Sequence, residues 1–592
     1  MHRRSLSRAV FTAFAAAALA ACGGGGDSPS SFAPVSSAPT SGPAAEAPAP
    51  NAGSNALANV AVVDKVLDDP NTYNTTRTGS IALSSVNEDT SLKQHTITID
   101  GQALNYVARA GHLVAYKGVG ATKKAEAAIF YTSYTRDDLP REDRPVTFLW
   151  NGGPGSASIW LHMGSWGPKR LKSDAPNMPN PTVQPTSFPF EDNAISLLDK
   201  SDIVFVDPPG TGLSTAISPL RNADLWGTDI DAQVVADFIV AYTNKFNRQS
   251  SPKYLYGESY GGIRTPIVAN LLEQAGTSGY VPDPSGKPAK VLAGFILNSP
   301  LVDYNSNCDM MDEQSSCEGY IPSYAMAADY FQKTTKRGNK TQDQYLGELR
   351  TLARTTFKKT LTTYFGPNDF SVPRSQSQWN TFAASTAGQT VLNQMAAYTG
   401  ISAATWKSSF NYGPASFRTA LVAGNTLGRY DARMKVPNGN SFAADDYINV
   451  AFLNQMKTYF PDFVNYKNKT AYQPLNDQTI QAWKWRRAGS SDFYPQSITD
   501  IQAVLTANPN SKMLILHGYE DVATPGFQTE LDLESVNLGS RIPVKWFEGG
   551  HMIYNTEASR APLKQTLNDY YALPAQDALD SAGASASAAQ LQ

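Results

Sequence analysis

Cysteine and histidine are scarce in this chain: its 592 residues hold three cysteines, Cys22, Cys308 and Cys317, and six histidines. With so few thiolate or imidazole ligands, and none grouped at metal-binding spacing, no zinc centre is expected. Charge of one sign is lacking as well. The 49 Lys and Arg are matched by 52 Asp and Glu, a formal net charge of −3, so the basic excess that nucleic-acid binding requires is absent. The N-terminal apolar stretch "AVFTAFAAAALAA" is too short to span a bilayer as a stable helix. What is present is a globular composition, 41% hydrophobic and 17% charged, with apolar residues enough for a sizeable core. The length admits several domains, or one large α/β domain carrying an inserted subdomain.

Arg3, Arg4 and Arg8 precede the apolar stretch, the arrangement of a signal peptide. It ends in "LAAC", Leu19 to Cys22, which resembles the lipobox of bacterial lipoproteins. That resemblance implies a lipoprotein signal peptide with lipobox over residues 1–22, Cys22 as the lipidated first residue after cleavage, and membrane attachment at about 0.8 kcal/mol per buried CH₂. Gly23 rather than Asp follows, which implies the outer membrane, facing the periplasm or the cell surface. An ordinary signal peptide with an incidental cysteine is the alternative. Residues 23–58, mostly Gly, Ser, Pro and Ala, read as a flexible tether, and residues 575–592 as a disordered tail. In an oxidising compartment Cys308 and Cys317 are then expected to form a disulfide closing a short loop.

Between tether and tail, "HTITID", "LNYVARA", "HLVAYKG" and "AAIFYTSYT" alternate apolar and polar residues, as an antiparallel meander does. Nearly continuous apolar runs follow, "VTFLW", "DIVFVD", "KYLYG", "VLAGFILN" and "KMLILHG", the pattern of strands buried on both faces. Helical patterns over 223–246 and 263–274 alternate with them. The fold expected is α/β: a mostly parallel central sheet flanked by helices, built from residues 59–303 and 501–574. The intervening 304–500 has helix-like segments and no buried strand runs, so it reads as an inserted helical subdomain forming a lid or pocket wall.

The residues with chemical promise lie at strand ends. "YGESYGG" places Gly257-x-Ser259-x-Gly261 after the strand "KYLYG" and before a helix, the strand-turn-helix setting of a nucleophile elbow. A serine hydroxyl needs a base. Of the histidines only His517 and His551 follow Ser259, as the order Ser, acid, His requires. His517 ends an apolar run and reads as a packed structural residue, whereas His551 in "FEGGHMIY" sits on a glycine-exposed loop that suits a general base. For the orienting acid Asp521 in "GYEDVATP" ranks first, with Glu520 and Asp303 as rivals. The glycine-rich "WNGGPG" can bring backbone N–H groups to an oxyanion. No cofactor or metal is called for.

Taken together, "WNGGPG", "VDPPGTGLS", "YGESYGG", "GYEDVATP" and "GGHM" resemble the serine carboxypeptidase family, exopeptidases of the α/β-hydrolase fold. The resemblance implies Ser259 as nucleophile, Asp521 as acid and His551 as base, with the N–H groups of Gly153 and Tyr260 as oxyanion hole. It also implies that Asn151, Gly152 and Glu258 bind the substrate's terminal carboxylate. A second glutamate of the family falls on Ser165 here, its cysteine after "GGPG" on Ser156, and the first Asp of its "GDxD" on Tyr519. Trp160, Tyr260 and Met552 are pocket neighbours by position, each equally placed to be core.

Three functions are open at this level: a membrane-tethered carboxypeptidase acting on peptides, an esterase or acyltransferase using the same triad, and an inert binding lipoprotein of the same fold. The loss of the second glutamate strengthens the second of these. Oligomeric state and side-chain preference are not legible.

Overall fold

The computed structural model describes residues 63–178, 180–366 and 375–573. The expected signal peptide, Cys22, the tether and the 575–592 tail lie outside them.

One ten-stranded sheet organises the described chain. In chain order its strands are β1 (Lys93–Ile99), β2 (Gln102–Lys117), β3 (Lys124–Thr135), β4 (Val146–Trp150), β5 (Asp202–Val206), β6 (Thr215–Ala216), β7 (Lys253–Glu258), β8 (Gly294–Asn298), β9 (Lys512–Gly518) and β10 (Val544–Phe547). Across the sheet the order is β10-β9-β8-β7-β4-β5-β3-β2-β1, with β6 paired to β3. From β10 to β5 every neighbouring pair is parallel, and from β5 to β1 every pair is antiparallel. This is the α/β-hydrolase fold.

The parallel strands read as unbroken apolar runs because each feeds two cores. Phe148, Leu255, Phe295, Leu297, Met513 and Ile515 face one core, with helices α1 (Thr228–Lys245) and α2 (Gly261–Ala275). Leu149, Tyr256, Ile296, Leu514 and Leu516 face the other. Alternation with period two is thus intact, and both faces happen to be covered.

"LNYVARA" and "HLVAYKG", expected as two strands, run together as β2. Gly111 between them is not a turn; it pairs with Tyr131 in extended conformation. A side chain there would come within 2.5 Å of the Asp89 carbonyl, so the glycine marks a close backbone approach.

The 304–500 segment divides among three packing environments. Its first part, from Cys308 to Ala432, builds a core of its own around Trp379, Trp406 and Phe410, capped by Tyr519, Val522 and Phe527 from the sheet domain. The Cys308–Cys317 disulfide is formed there. From Met434 to Tyr466 the chain joins one sheet core, through Phe452, Met456 and Phe460 of α3 (Asn449–Phe463), and Trp483 and Ile498 join the other. Tyr466–Asn468 also pairs in parallel with Leu67–Asp69. The later part is therefore built into the body of the hydrolase, and the segment includes the short hairpin Asn425–Leu427 with Lys435–Pro437. Helical periodicity shows that a face is apolar and is silent on which core receives it.

Candidate active site

Ser259 stands between β7 and α2 with φ 63°, a left-handed conformation that costs a side-chain-bearing residue roughly 1–2 kcal/mol. Its neighbours enforce it. A Cβ at Gly257 would lie 2.0 Å from Thr265 Oγ1, and one at Gly262 would lie 2.4 Å from the Leu301 carbonyl. Gly261 has no such constraint, its nearest contact being 3.7 Å. The tight turn thus needs two of the three glycines of "YGESYGG". Ser259 stays half-buried while Glu258 and Tyr260 on either side are buried, so the hydroxyl-bearing residue alone reaches the surface of the site.

Strand-end loops bring the partners. His551 Nδ1 is 2.8 Å from Asp521 Oδ2. Asp521 is saturated: its Oδ1 accepts from the N–H groups of Ala523 and Thr524 at 2.8 and 3.0 Å, and Thr524 Oγ1 donates to Oδ2 at 2.8 Å. Neither rival acid reaches His551 in this way. Glu520 accepts from the Gly549 N–H and lies near Arg433, while Asp303 is engaged by Asn305. His517 is buried against Thr529, and burial lowers its pKa to about 3, as befits a neutral packed imidazole.

Asn298, at the end of β8, fastens these pieces together, and sequence reasoning did not single it out. Its carbonyl accepts from the Ser259 N–H at 3.0 Å, and its side-chain amide donates to Glu258 Oε2 and to the His551 carbonyl, both at 3.2 Å. Ser299 Oγ donates to the same carbonyl at 2.8 Å. Tyr430, from the hairpin of the inserted segment, stacks on the His551 ring at 4.8 Å, and its carbonyl accepts from the His551 N–H at 2.6 Å. A polar residue closing an otherwise apolar strand, as in "GFILN", was the available signal for Asn298; nothing local marks Tyr430.

The "WNGGPG" loop lies against the elbow. A Cβ at Gly152 would fall 2.4 Å from the Tyr260 nitrogen. The N–H groups of Gly153 and Tyr260 find no acceptor among the described residues, which leaves both donors for a ligand oxygen. Asn151 Nδ2 donates to Glu258 Oε1 at 2.6 Å, and its Oδ1 accepts from the Leu161 N–H at 3.0 Å. Underneath, Arg264 donates to the Asn151 carbonyl at 2.8 Å and pairs with Asp231 of α1 at 2.5 Å.

Two buried carboxylates flank the serine, and their pKa values move apart. Burial would raise Asp521, but the His551 charge and the donors around it bring its pKa below the ordinary carboxylate value. Burial likewise would lower His551, and Asp521 overcomes this and leaves the imidazole more basic than usual. For Glu258 burial wins: its pKa rises to about 7, only partly offset by the His551 charge and by Tyr554 and Asn151.

The remaining sequence candidates divide. Ser165 is buried and turns its hydroxyl back onto the Leu161 carbonyl at 2.6 Å. Trp160 donates to Ser156 Oγ at 2.9 Å and packs in a sheet core, and the Tyr260 ring is buried against Trp483 and Tyr304. Tyr519 hydrogen-bonds Asp343 of the inserted segment. Met552, next to His551, lines a small open cleft together with Ala175, Tyr430, Met434, Ala444, Tyr447 and Ile448 and the polar Asp431, Asp445 and Asn555.

A family model described as serine carboxypeptidase matches residues 101–545, three-quarters of the chain. The protein belongs to the serine carboxypeptidase family. Among curated relatives, serine carboxypeptidase-like 16 of Arabidopsis thaliana is 31% identical over 192 residues, 32% of this chain and 40% of its own. Serine carboxypeptidase-like 13 of the same plant is 27% identical over 224 residues, 38% and 45% respectively. The chain thus matches less than half the length of these relatives. Among solved structures, the prohormone-processing carboxypeptidase Kex1 of Saccharomyces cerevisiae aligns over 78% of this chain and 91% of its own, at 15% identity and a TM-score of 0.46.

Proposed function

We propose that the protein is a serine-type carboxypeptidase that releases C-terminal residues from peptides through an acyl-enzyme. The observation that carries this reading is the buried Glu258–Asn151 contact immediately beside Ser259. A carboxyl poised near neutrality has an evident use against a substrate that itself ends in a carboxylate. Protonated, it donates a hydrogen bond to that group; ionised, it repels it.

The proposed chemistry follows the positions of the side chains. Ser259 Oγ attacks the carbonyl of the last peptide bond while neutral His551 takes its proton, and Asp521 holds the imidazole and stabilises its charge. The N–H groups of Gly153 and Tyr260 receive the oxyanion. His551 then protonates the departing amino group, and water repeats the sequence on the acyl-enzyme. Attack needs His551 neutral, and substrate binding needs Glu258 protonated. Activity on free-terminus peptides is therefore bell-shaped in pH, and activity on an ester without a carboxylate keeps only the low-pH limb.

Ser259→Ala should lower kcat by on the order of 10⁶. The wild type should cleave a peptide with a free C-terminus far faster than the same peptide amidated. Equal rates on both would overturn the exopeptidase reading and leave ester hydrolysis or acyl transfer, the alternative favoured by Ser165 standing where the family has its second glutamate.

A further inference from the structure

Glu258 has another buried neighbour besides the two amides. Tyr554 lies in the short turn Ile553–Asn555 that follows His551, and it is 1% exposed. Its ring rests on Gly164, so closely that a Cβ there would lie 2.8 Å from Tyr554 Cε2. Ser165, the position of the missing glutamate, is the next residue. Arg560 clamps the two turns together, donating to the Tyr554 carbonyl at 2.8 Å and the Gly164 carbonyl at 3.0 Å. Asn193, which accepts from Arg560 at 2.7 Å, donates in turn to the Ser165 carbonyl at 2.6 Å.

The hydroxyl on that fixed ring is buried without a partner at regular hydrogen-bond geometry. It nonetheless interacts with the Glu258 carboxyl and with the Asn151 side chain, the two groups assigned to the substrate carboxylate. A buried phenol left unsatisfied costs free energy, so a donor aimed at a carboxyl-binding corner calls for an acceptor there.

We propose that Tyr554 is a positioning residue for Glu258, its hydroxyl donating to the Glu258 carboxyl and limiting how far burial raises the pH at which that carboxyl ionises. This rests on Glu258 as the carboxylate-binding residue. A phenol differs from a second acid in one respect. It is neutral throughout the working range and favours the charged form of its partner, whereas a second carboxylate would disfavour it. The other titratable groups facing Glu258 are His551 and Asp521 from the strand-end loops, Tyr256 on its own strand, and Tyr430 from the inserted hairpin. Tyr554 thus keeps the Glu258 transition from rising further than burial and these charges set it.

Tyr554→Phe removes the hydroxyl and keeps the ring on Gly164. The KM for a free-terminus peptide should then begin its high-pH rise later, its midpoint moving up by about half a pH unit or more. The ester, with no carboxylate to place, has no such limb to move. Gly164→Ala, which pushes the ring aside but retains the hydroxyl, should shift the midpoint in the same direction. Infrared titration supplies a readout independent of turnover: the carboxyl band that disappears in Glu258→Gln should titrate at higher pH in Tyr554→Phe. An unmoved band and an unmoved KM midpoint would overturn the inference, as would a downward shift. A moved band in a protein that does not discriminate free from amidated peptides would instead sink the exopeptidase reading and leave the Tyr554–Glu258 contact standing.

Discussion

Asp521 and Glu258 are both buried acids at strand ends, Glu258 closing β7 and Asp521 in the loop after β9 with β8 between them, and the protein has made opposite things of them. Around Asp521 every lone pair has a donor, one of them an imidazole that can carry charge, and the carboxylate is held ionised. Around Glu258 the regular hydrogen bonds come from two neutral amides, Asn151 and Asn298, and burial pushes the pKa to about 7. Burial alone does not fix a role; the charge of the nearest donor does. Because His551 interacts with both acids, observed transitions belong to the group of three, and the comparison is best tested by altering one acid at a time.

The largest effect should come from Asp521→Asn. The amide can keep the geometry but cannot stabilise the imidazolium, and it favours the wrong imidazole tautomer. A loss in kcat of about 10⁴ is expected on peptide and ester alike. A loss confined to peptides would mean that Asp521, too, serves carboxylate recognition. Glu258→Gln should behave differently. In the wild type, KM for a free-terminus peptide rises by roughly tenfold per pH unit above 7, as the protonated fraction of Glu258 falls. Glutamine is neutral at every pH, so that rise should flatten, while the low-pH limb from His551 remains. Retention of the rise in the variant would assign it to another group.

The two acids were also unequally legible. Asp521 could be ranked above Glu520 and Asp303 because strand-end position and chain order constrain a triad acid. Their actual separation came only with the packing, where Glu520 accepts from the Gly549 N–H and Asp303 turns to Asn305. The parallel half of the sheet was readable because strands covered on both faces leave continuous apolar runs. The merging of "LNYVARA" with "HLVAYKG" was not, since a glycine that permits close backbone approach and one that makes a turn look alike in sequence. Asn298 carried a local mark, as the polar residue closing an apolar strand, but its bond to Glu258 crosses 40 residues; Tyr430 and Tyr554 act across longer separations still, where no local pattern records the contact.

The smallest expected effect lies in the cleft lined by Met434, Ala444, Tyr447, Ile448 and Met552, which adjoins His551 through Met552 and the stacked Tyr430. Two acids, Asp431 and Asp445, also line it, and both are already engaged. Arg433 pairs with Asp431 at 2.7 Å, and the N–H groups of Arg429 and Tyr430 donate to Asp445 at 2.9 and 2.7 Å. What the cleft offers a substrate is therefore mostly apolar surface, with the Asn555 side chain, whose Oδ1 is buried without a partner, as its polar exception. A side chain next to the scissile bond that fills it gains roughly 1 kcal/mol or more per methylene. Ile448→Thr removes the δ-methyl group and makes one wall polar, so the preference for a leucine-sized over an alanine-sized residue should fall by about threefold to tenfold. If carboxylate recognition is confined to the Glu258 corner, that fall is the same at pH 5 and pH 8. A selectivity change that itself varies with pH would show that the cleft shares in binding the terminal carboxylate, and the division of labour between the two acids would have to be redrawn.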